Sequence, residues 1–174
     1  MMVISVRRGE IIYLEEGEFE ELVEAVARRV QGGDVKAVAV ASRGGKSALR
    51  IAEALKGAVP VISVTEFTYG DDVKKKMKKM GVKPLERVEL PIQDRRGIRE
   101  GLLIFGEGVK AALEAAVIAA GEGLKGEKVI AVAGEGGGIN TALVVRAAEP
   151  DEMVSPDPER RLKVLEVLAL PSSK

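Results

Sequence analysis

The sequence predicts an α/β fold in three layers, with a mostly parallel sheet covered by helices on both faces. Two observations carry this. Residues 36–41, 61–65 and 128–133 are short runs of mainly apolar residues, with no polar alternation, as expected of strands buried on both faces. They are separated by segments with apolar residues at helical spacing, and buried strands alternating with helices form a parallel sheet. The 174 residues suit one domain spanning 1–174, with 46% hydrophobic residues to fill a core.

The elements follow in order. Residues 3–6 and 10–14 read as short strands around Arg7-Arg8-Gly9. Residues 18–30 predict an amphipathic helix, with Phe19, Leu22, Val23, Val26 and Val30 on one face and Gly32-Gly33 ending it. The strand at 36–41 is followed by a Gly-rich turn and a helix at 46–55, which presents Ala48, Ile51, Ala52 and Leu55. Pro60 opens the next strand, 61–65. A helix at 71–80 has its acids first and its lysines last, matching the helix dipole. A weak strand is expected at 87–90, and a long helix within 99–121, apolar nearly all round from Ala111. Strands at 128–133 and 141–146 precede a loop at 148–160, which holds three of the seven prolines. Residues 162–170 read as a last strand.

Composition excludes several classes of function. Lys+Arg and Asp+Glu both number 27, so no net charge attracts nucleic acid or an acidic membrane. Lys74-Lys75-Lys76 and Lys78-Lys79 lack interleaved aromatic residues and read as a solvated helix face. No apolar run reaches the length of a membrane span and no signal-peptide core follows Arg7-Arg8, so a soluble, cytoplasmic protein is expected. There is no Cys and no His, which removes thiol nucleophiles, disulfides and the usual metal ligands and general base; no metal site is expected. One Asn, two Gln and 31% charged residues are the composition expected of a thermophile.

The stretch Ser42-Arg43-Gly44-Gly45-Lys46-Ser47 directs attention to phosphate. Gly45-Lys46-Ser47 matches the end of a nucleotide-binding P-loop, but Val40 stands where the first glycine is required. A strand, a Gly-rich turn and a helix start still offer backbone N–H groups and the positive end of a helix dipole to an anion. A second Gly-rich loop, 134–140, also follows a strand. Ligands in such folds collect beyond the carboxyl ends of the strands. Either loop alone is a tight turn; facing each other, they form a candidate site. The phosphate would be held by Ser42, Arg43, the Gly44-Gly45 backbone, Lys46 and Ser47, and the rest of the ligand by Thr65, Gly134, Gly136, Asn140 and Thr141. A rival reading takes Gly106-x-Gly108-x-x-Ala111 as a dinucleotide fingerprint, which would require a strand at 102–105.

These segments resemble the carboxyl-terminal regulatory domain of pyruvate kinase. Its Thr-Lys-Ser-Gly-Arg-Ser-Ala loop is similar to Ser42-Arg43-Gly44-Gly45-Lys46-Ser47-Ala48, with Gly45, Ser47 and Ala48 identical. Pro60-Val-Ile-Ser-Val-Thr65 looks like the next strand of that family, and Gly134 and Asn140-Thr141 match its later loop. The similarity covers about two thirds of the chain, residues 38–146. A small stand-alone family with this domain resembles nearly the whole chain. The resemblance implies a five-stranded sheet in the order 3-2-1-4-5, counted from the strand at 36–41, with strand 5 antiparallel and the terminal strands added. Two departures stand out. Gly17-Glu18-Phe19-Glu20 lacks the Asn-Thr that usually precedes the first helix of the stand-alone family, and Glu135 replaces a tryptophan of the pyruvate kinase loop. Kinase activity is not implied, because the catalytic residues of pyruvate kinase belong to a barrel domain.

Three functions are therefore expected alternatives. The first is binding of a small phosphorylated ligand such as a sugar phosphate or FMN. The second is a small enzyme acting on a phosphorylated metabolite, with Glu135, Lys46 or Glu114 as acid–base groups and no catalytic residue assigned beyond these. The third is an oligomerisation domain. Ala111, Ala112, Ala115, Ala116, Ala119 and Ala120 surround much of one helix, more than one sheet face covers, so a homodimer or higher homo-oligomer is expected.

Overall fold

A computed structural model describes residues 5–15, 19–134 and 138–172. Seven strands, β1 (Ile12–Leu14), β2 (Ala37–Ala41), β3 (Val61–Val64), β4 (Val82–Leu85), β5 (Lys128–Ala133), β6 (Thr141–Arg146) and β7 (Lys163–Pro171), form one sheet. Its order is β1-β7-β6-β5-β2-β3-β4. The helices are α1 (Phe19–Val30), α2 (Lys46–Leu55), α3 (Asp71–Met80), α4 (Arg96–Leu103) and α5 (Glu107–Ala119).

The α/β class agrees with the sequence; the sheet does not stop at five strands. Strand β6 runs antiparallel to β5, β7 antiparallel to β6, and β1 parallel to β7. The buried β6 thus has a neighbour on each side, and the ladder ends on a three-residue edge strand, a length that limits further pairing. Residues 3 and 4 of the expected first strand lie outside the described residues, and Ser5 and Val6 are not in a strand.

Two further elements differ from expectation. The strand expected at 87–90 lies earlier, at β4, where Lys83-Pro84 argues against a strand in sequence alone. Among the described residues, strand β4 pairs only with β3, and an edge position tolerates proline because one side of the ladder is unused. Arg87 has φ 53°, which ends the extended run; Val88 still packs on the core. The long helix expected within 99–121 is two helices. Gly106 has φ 101° and ψ 161°, a conformation that essentially only glycine adopts, and the chain turns there between α4 and α5.

Each sheet face carries its own core. On one, Leu22 and Val26 of α1, Ile51 of α2 and Met77 of α3 pack over Val38, Val40, Ile130, Val132 and Val144. On the other, α5 lies on Ala37, Ala39, Val129, Ala131 and Leu143, flanked by Ile92 and Met153. Small strand residues let α5 sit close to the sheet. Helix α5 is thereby buried on most sides within a single subunit, with Ala111 and Ile118 half-buried. The alanine surface that suggested a second copy is already covered. Exposed large apolar groups lie elsewhere, among them Ile104, 83% exposed, and Phe105, 64% exposed, at the α4–α5 turn.

At the opposite end of the sheet from the Gly-rich loops, Arg29 ties α1 to β7. Its guanidinium donates to Asp34 at 2.6 Å and to Glu166 at 2.8 Å. Lys128 also pairs with Asp34, and Arg7 with Glu166. Arg29 is the main reason that both carboxyls are held below the usual carboxylate range. Their folded values lie under their unfolded ones, so their contribution is complete above about pH 5 and is lost as pH falls through the folded values. Arg29→Met should therefore cost about 2 kcal/mol at pH 7, and the gap to the parent should narrow below about pH 5. Melting temperatures of both proteins across pH 2–7 check this; a constant gap would remove these pairs as its source.

Candidate functional site

The site is built at the carboxyl ends of β2 and β5, which are parallel neighbours with Val40 opposite Val132. After Ala41 the chain turns through Ser42, Arg43, Gly44 and Gly45 into α2. The turn is pinned from the β3 side. The Ser42 N–H donates to the Val64 carbonyl at 3.0 Å. The Ser42 carbonyl accepts from the buried Tyr69 hydroxyl at 2.7 Å, and that hydroxyl also contacts Ser63 Oγ at 2.6 Å. Burial raises the Tyr69 pKa, which keeps the hydroxyl a donor. Thr65 Oγ1 donates to the Arg43 carbonyl at 3.4 Å and accepts the Phe67 N–H at 3.1 Å. Two loop carbonyls are thus occupied away from the helix start.

Among the described residues, nothing caps that start. Gly45 is the N-cap residue, none of their side chains caps the helix, and its first turn holds no acid. The Leu49 N–H bonds the Gly45 carbonyl at 3.0 Å, so the N–H groups of the preceding turn have no acceptor one helical turn back. Lys46 is exposed and, among the described residues, forms no ion pair.

Across from it, residue 134 begins the β5–β6 connection. A Cβ on Gly134 would collide with the Gly138 backbone and come within 2.7 Å of the Ile139 Cα, so residues 134 and 138 stand against each other. Ala41, Ser42, Arg43, Gly44, Lys46, Ser47, Gly134 and Gly138 line one cleft of about 550 Å³. The structure therefore brings Ser42, Arg43, Gly44, Lys46, Ser47 and Gly134 together, and adds Gly138. Gly136 and Glu135 lie outside the described residues.

Other expected site residues are elsewhere. Gly45 has φ 85°, and a Cβ there would stand 2.6 Å from Met77 Cε and 2.8 Å from Val73 Cγ1, so it faces α3 rather than the cleft. Thr65 lines a separate, smaller cavity on the α5 side of β2. Asn140 and Thr141 bond each other at 3.0 Å and pack beneath α5; a Cβ on Gly108 would overlap the Thr141 hydroxyl. That contact accounts for Gly108, and the dinucleotide fingerprint fails because α4, not a strand, precedes Gly106. Glu114 is 2% exposed and accepts the N–H groups of Ile92 at 3.1 Å and Gln93 at 3.0 Å. It also pairs with Lys110 at 2.9 Å, the bonding of a structural carboxylate. Lys110 and Tyr69 were missed in sequence. The i, i+4 spacing of Lys110 and Glu114 on an apolar helix was the signal for the first. Nothing local marks Tyr69 as the brace of a loop that precedes it by 27 residues.

The family model for the pyruvate kinase alpha/beta domain matches residues 20–145. The chain belongs to the pyruvate kinase alpha/beta domain family. The match runs from α1 to β6 and so takes in both loops of the cleft, while β1 and β7, which widen the sheet, lie outside it. No curated protein matches the chain. Among the described residues of this pyruvate kinase alpha/beta domain, no helix is long and apolar enough to cross a membrane.

Proposed function

We propose that this domain binds a small phosphorylated ligand, such as a sugar phosphate or FMN, with the phosphate seated between the 42–47 turn and the 134–138 loop. The observation that carries the reading is the meeting of two loops, from different parts of the chain, in one cleft beside an uncapped helix N-terminus. Backbone N–H groups and the α2 dipole favour a dianion, and Lys46 and Arg43 add positive charge at the rim. A volume of about 550 Å³ is in the range of small-molecule sites. Ser42 and Ser47 supply hydroxyls for the phosphate oxygens. No phosphoryl transfer is proposed; Glu114, one of the expected acid–base groups, is held by its structural bonds.

The test is calorimetric titration with FMN, glucose 6-phosphate and inorganic phosphate. Lys46→Ala should weaken the ligand that binds by roughly tenfold or more, the loss of one charge-assisted hydrogen bond. Its folding stability should stay within about 0.5 kcal/mol, since Lys46 is exposed. Equal affinity in mutant and parent would remove Lys46 from the site, and no saturable binding of any phosphorylated probe would overturn the reading.

A further inference from the structure

The smaller cavity on the α5 side of β2 has chemistry that folding does not use up. Its volume is about 210 Å³, and Val64, Leu90, Ala111 and Ile118 give it apolar walls. Lys110 lies at its base, 7% exposed. An ammonium has three N–H donors. In Lys110 one goes to Glu114 Oε1 at 2.9 Å and one to Gln93 Oε1 at 2.5 Å. The third has no acceptor among the described residues. At the rim, the Arg43 guanidinium lies 5.2 Å from the centre of the Phe67 ring, which is 52% exposed. Two carboxylates border the cavity: Glu114, buried and held by Lys110 and the Ile92 and Gln93 N–H groups, and Glu66, which is exposed so that solvent screens its charge.

We propose that this cavity is a second ligand site, which takes a small monocarboxylate with a compact apolar body about one ring in size. The carboxylate accepts the remaining Lys110 N–H, and Arg43 adds a second cation on the way in. The body displaces water from the apolar walls and meets the exposed face of Phe67. Size sets the limit. A cavity of about 150 Å³ accommodates benzene, so one of 210 Å³ holds a single ring with one carboxylate and excludes a flavin or a nucleotide. The site shares Ala41, Ser42 and Arg43 with the phosphate cleft but does not depend on that cleft's ligand.

Benzoate is the probe, with benzyl alcohol as its neutral counterpart, followed by ligand-observed NMR and calorimetry on the intact chain. Saturable one-to-one binding of benzoate at about 1 mM or tighter is expected, with benzyl alcohol at least fivefold weaker. Ala111→Phe, which fills the cavity and does not touch the phosphate cleft, should abolish binding. Phe67→Ala, at an exposed position, should weaken it at least threefold, and it decides the matter if Ala111→Phe does not fold. Absence of saturable binding to 20 mM benzoate (about twentyfold above the expected constant), equal affinity for benzyl alcohol, or binding unchanged in the folded variants would overturn the proposal of a carboxylate site in this cavity.

Discussion

Gly45→Val should destabilise the protein by about 3 kcal/mol or more, the largest effect expected of any single change in the candidate loop. Two costs add. Gly45 has φ 85°, and a β-branched residue resists that left-handed conformation. Its Cβ would also enter the contact between α2 and α3, where the methyl end of Met77 can move aside but the branched Val73 cannot easily do so. Gly45→Ala should cost roughly half as much. Urea unfolding, with the midpoint shifted and the slope unchanged, is the measurement. A side chain there would also harm ligand binding. It would displace the turn from below rather than stand in the path of an anion. A loss of less than about 1 kcal/mol would show that the α2–α3 contact yields freely.

Glu114→Ala should cost about 3–5 kcal/mol, because removing one partner of a buried pair leaves the other charge uncompensated. The Lys110 ammonium would keep only Gln93, and the N–H groups of Ile92 and Gln93 would lose their acceptor. The double variant Lys110→Met with Glu114→Gln should recover most of the loss. It removes both charges, and the amide oxygen still accepts from the turn after β4. Chemical denaturation of Lys110→Met, Glu114→Gln and the double variant gives the coupling energy. Additive losses would mean that the two side chains act independently. A buried pair is weak evidence for net stability, so recovery in the double variant is the informative result.

Much of the fold was legible because it rests on local rules. Helices α2 and α3 and strands β5 and β6 lie at the residues that periodicity, end charges and Gly-rich breaks assign to them. The two loops were legible for the same reason: glycine clusters after apolar strands mark turns wherever the strands go. The remaining features depended on neighbours distant in sequence. Strand β4 contains Lys83-Pro84 and exists because it needs only one partner. The break at Gly106 reads in sequence as an ordinary glycine within a helical pattern. The site divided along the same line. Ser42, Arg43, Gly44, Lys46, Ser47 and Gly134 belong to two backbone turns, and pairing β2 with β5 was enough to bring those turns together. Thr65, Asn140 and Thr141 lie at strand ends, where the side a residue faces changes with every step along the chain. The sequence by itself determined most of the segments that are strands, helices and loops, β4 and the α4–α5 break excepted, because hydrophobic spacing and backbone chemistry act over a few residues. Only the tertiary structure decided which side of the sheet each polar side chain faces, and hence that Thr65 lines a different cavity from Lys46 and Gly134, because that depends on register and pairing between residues far apart in the chain.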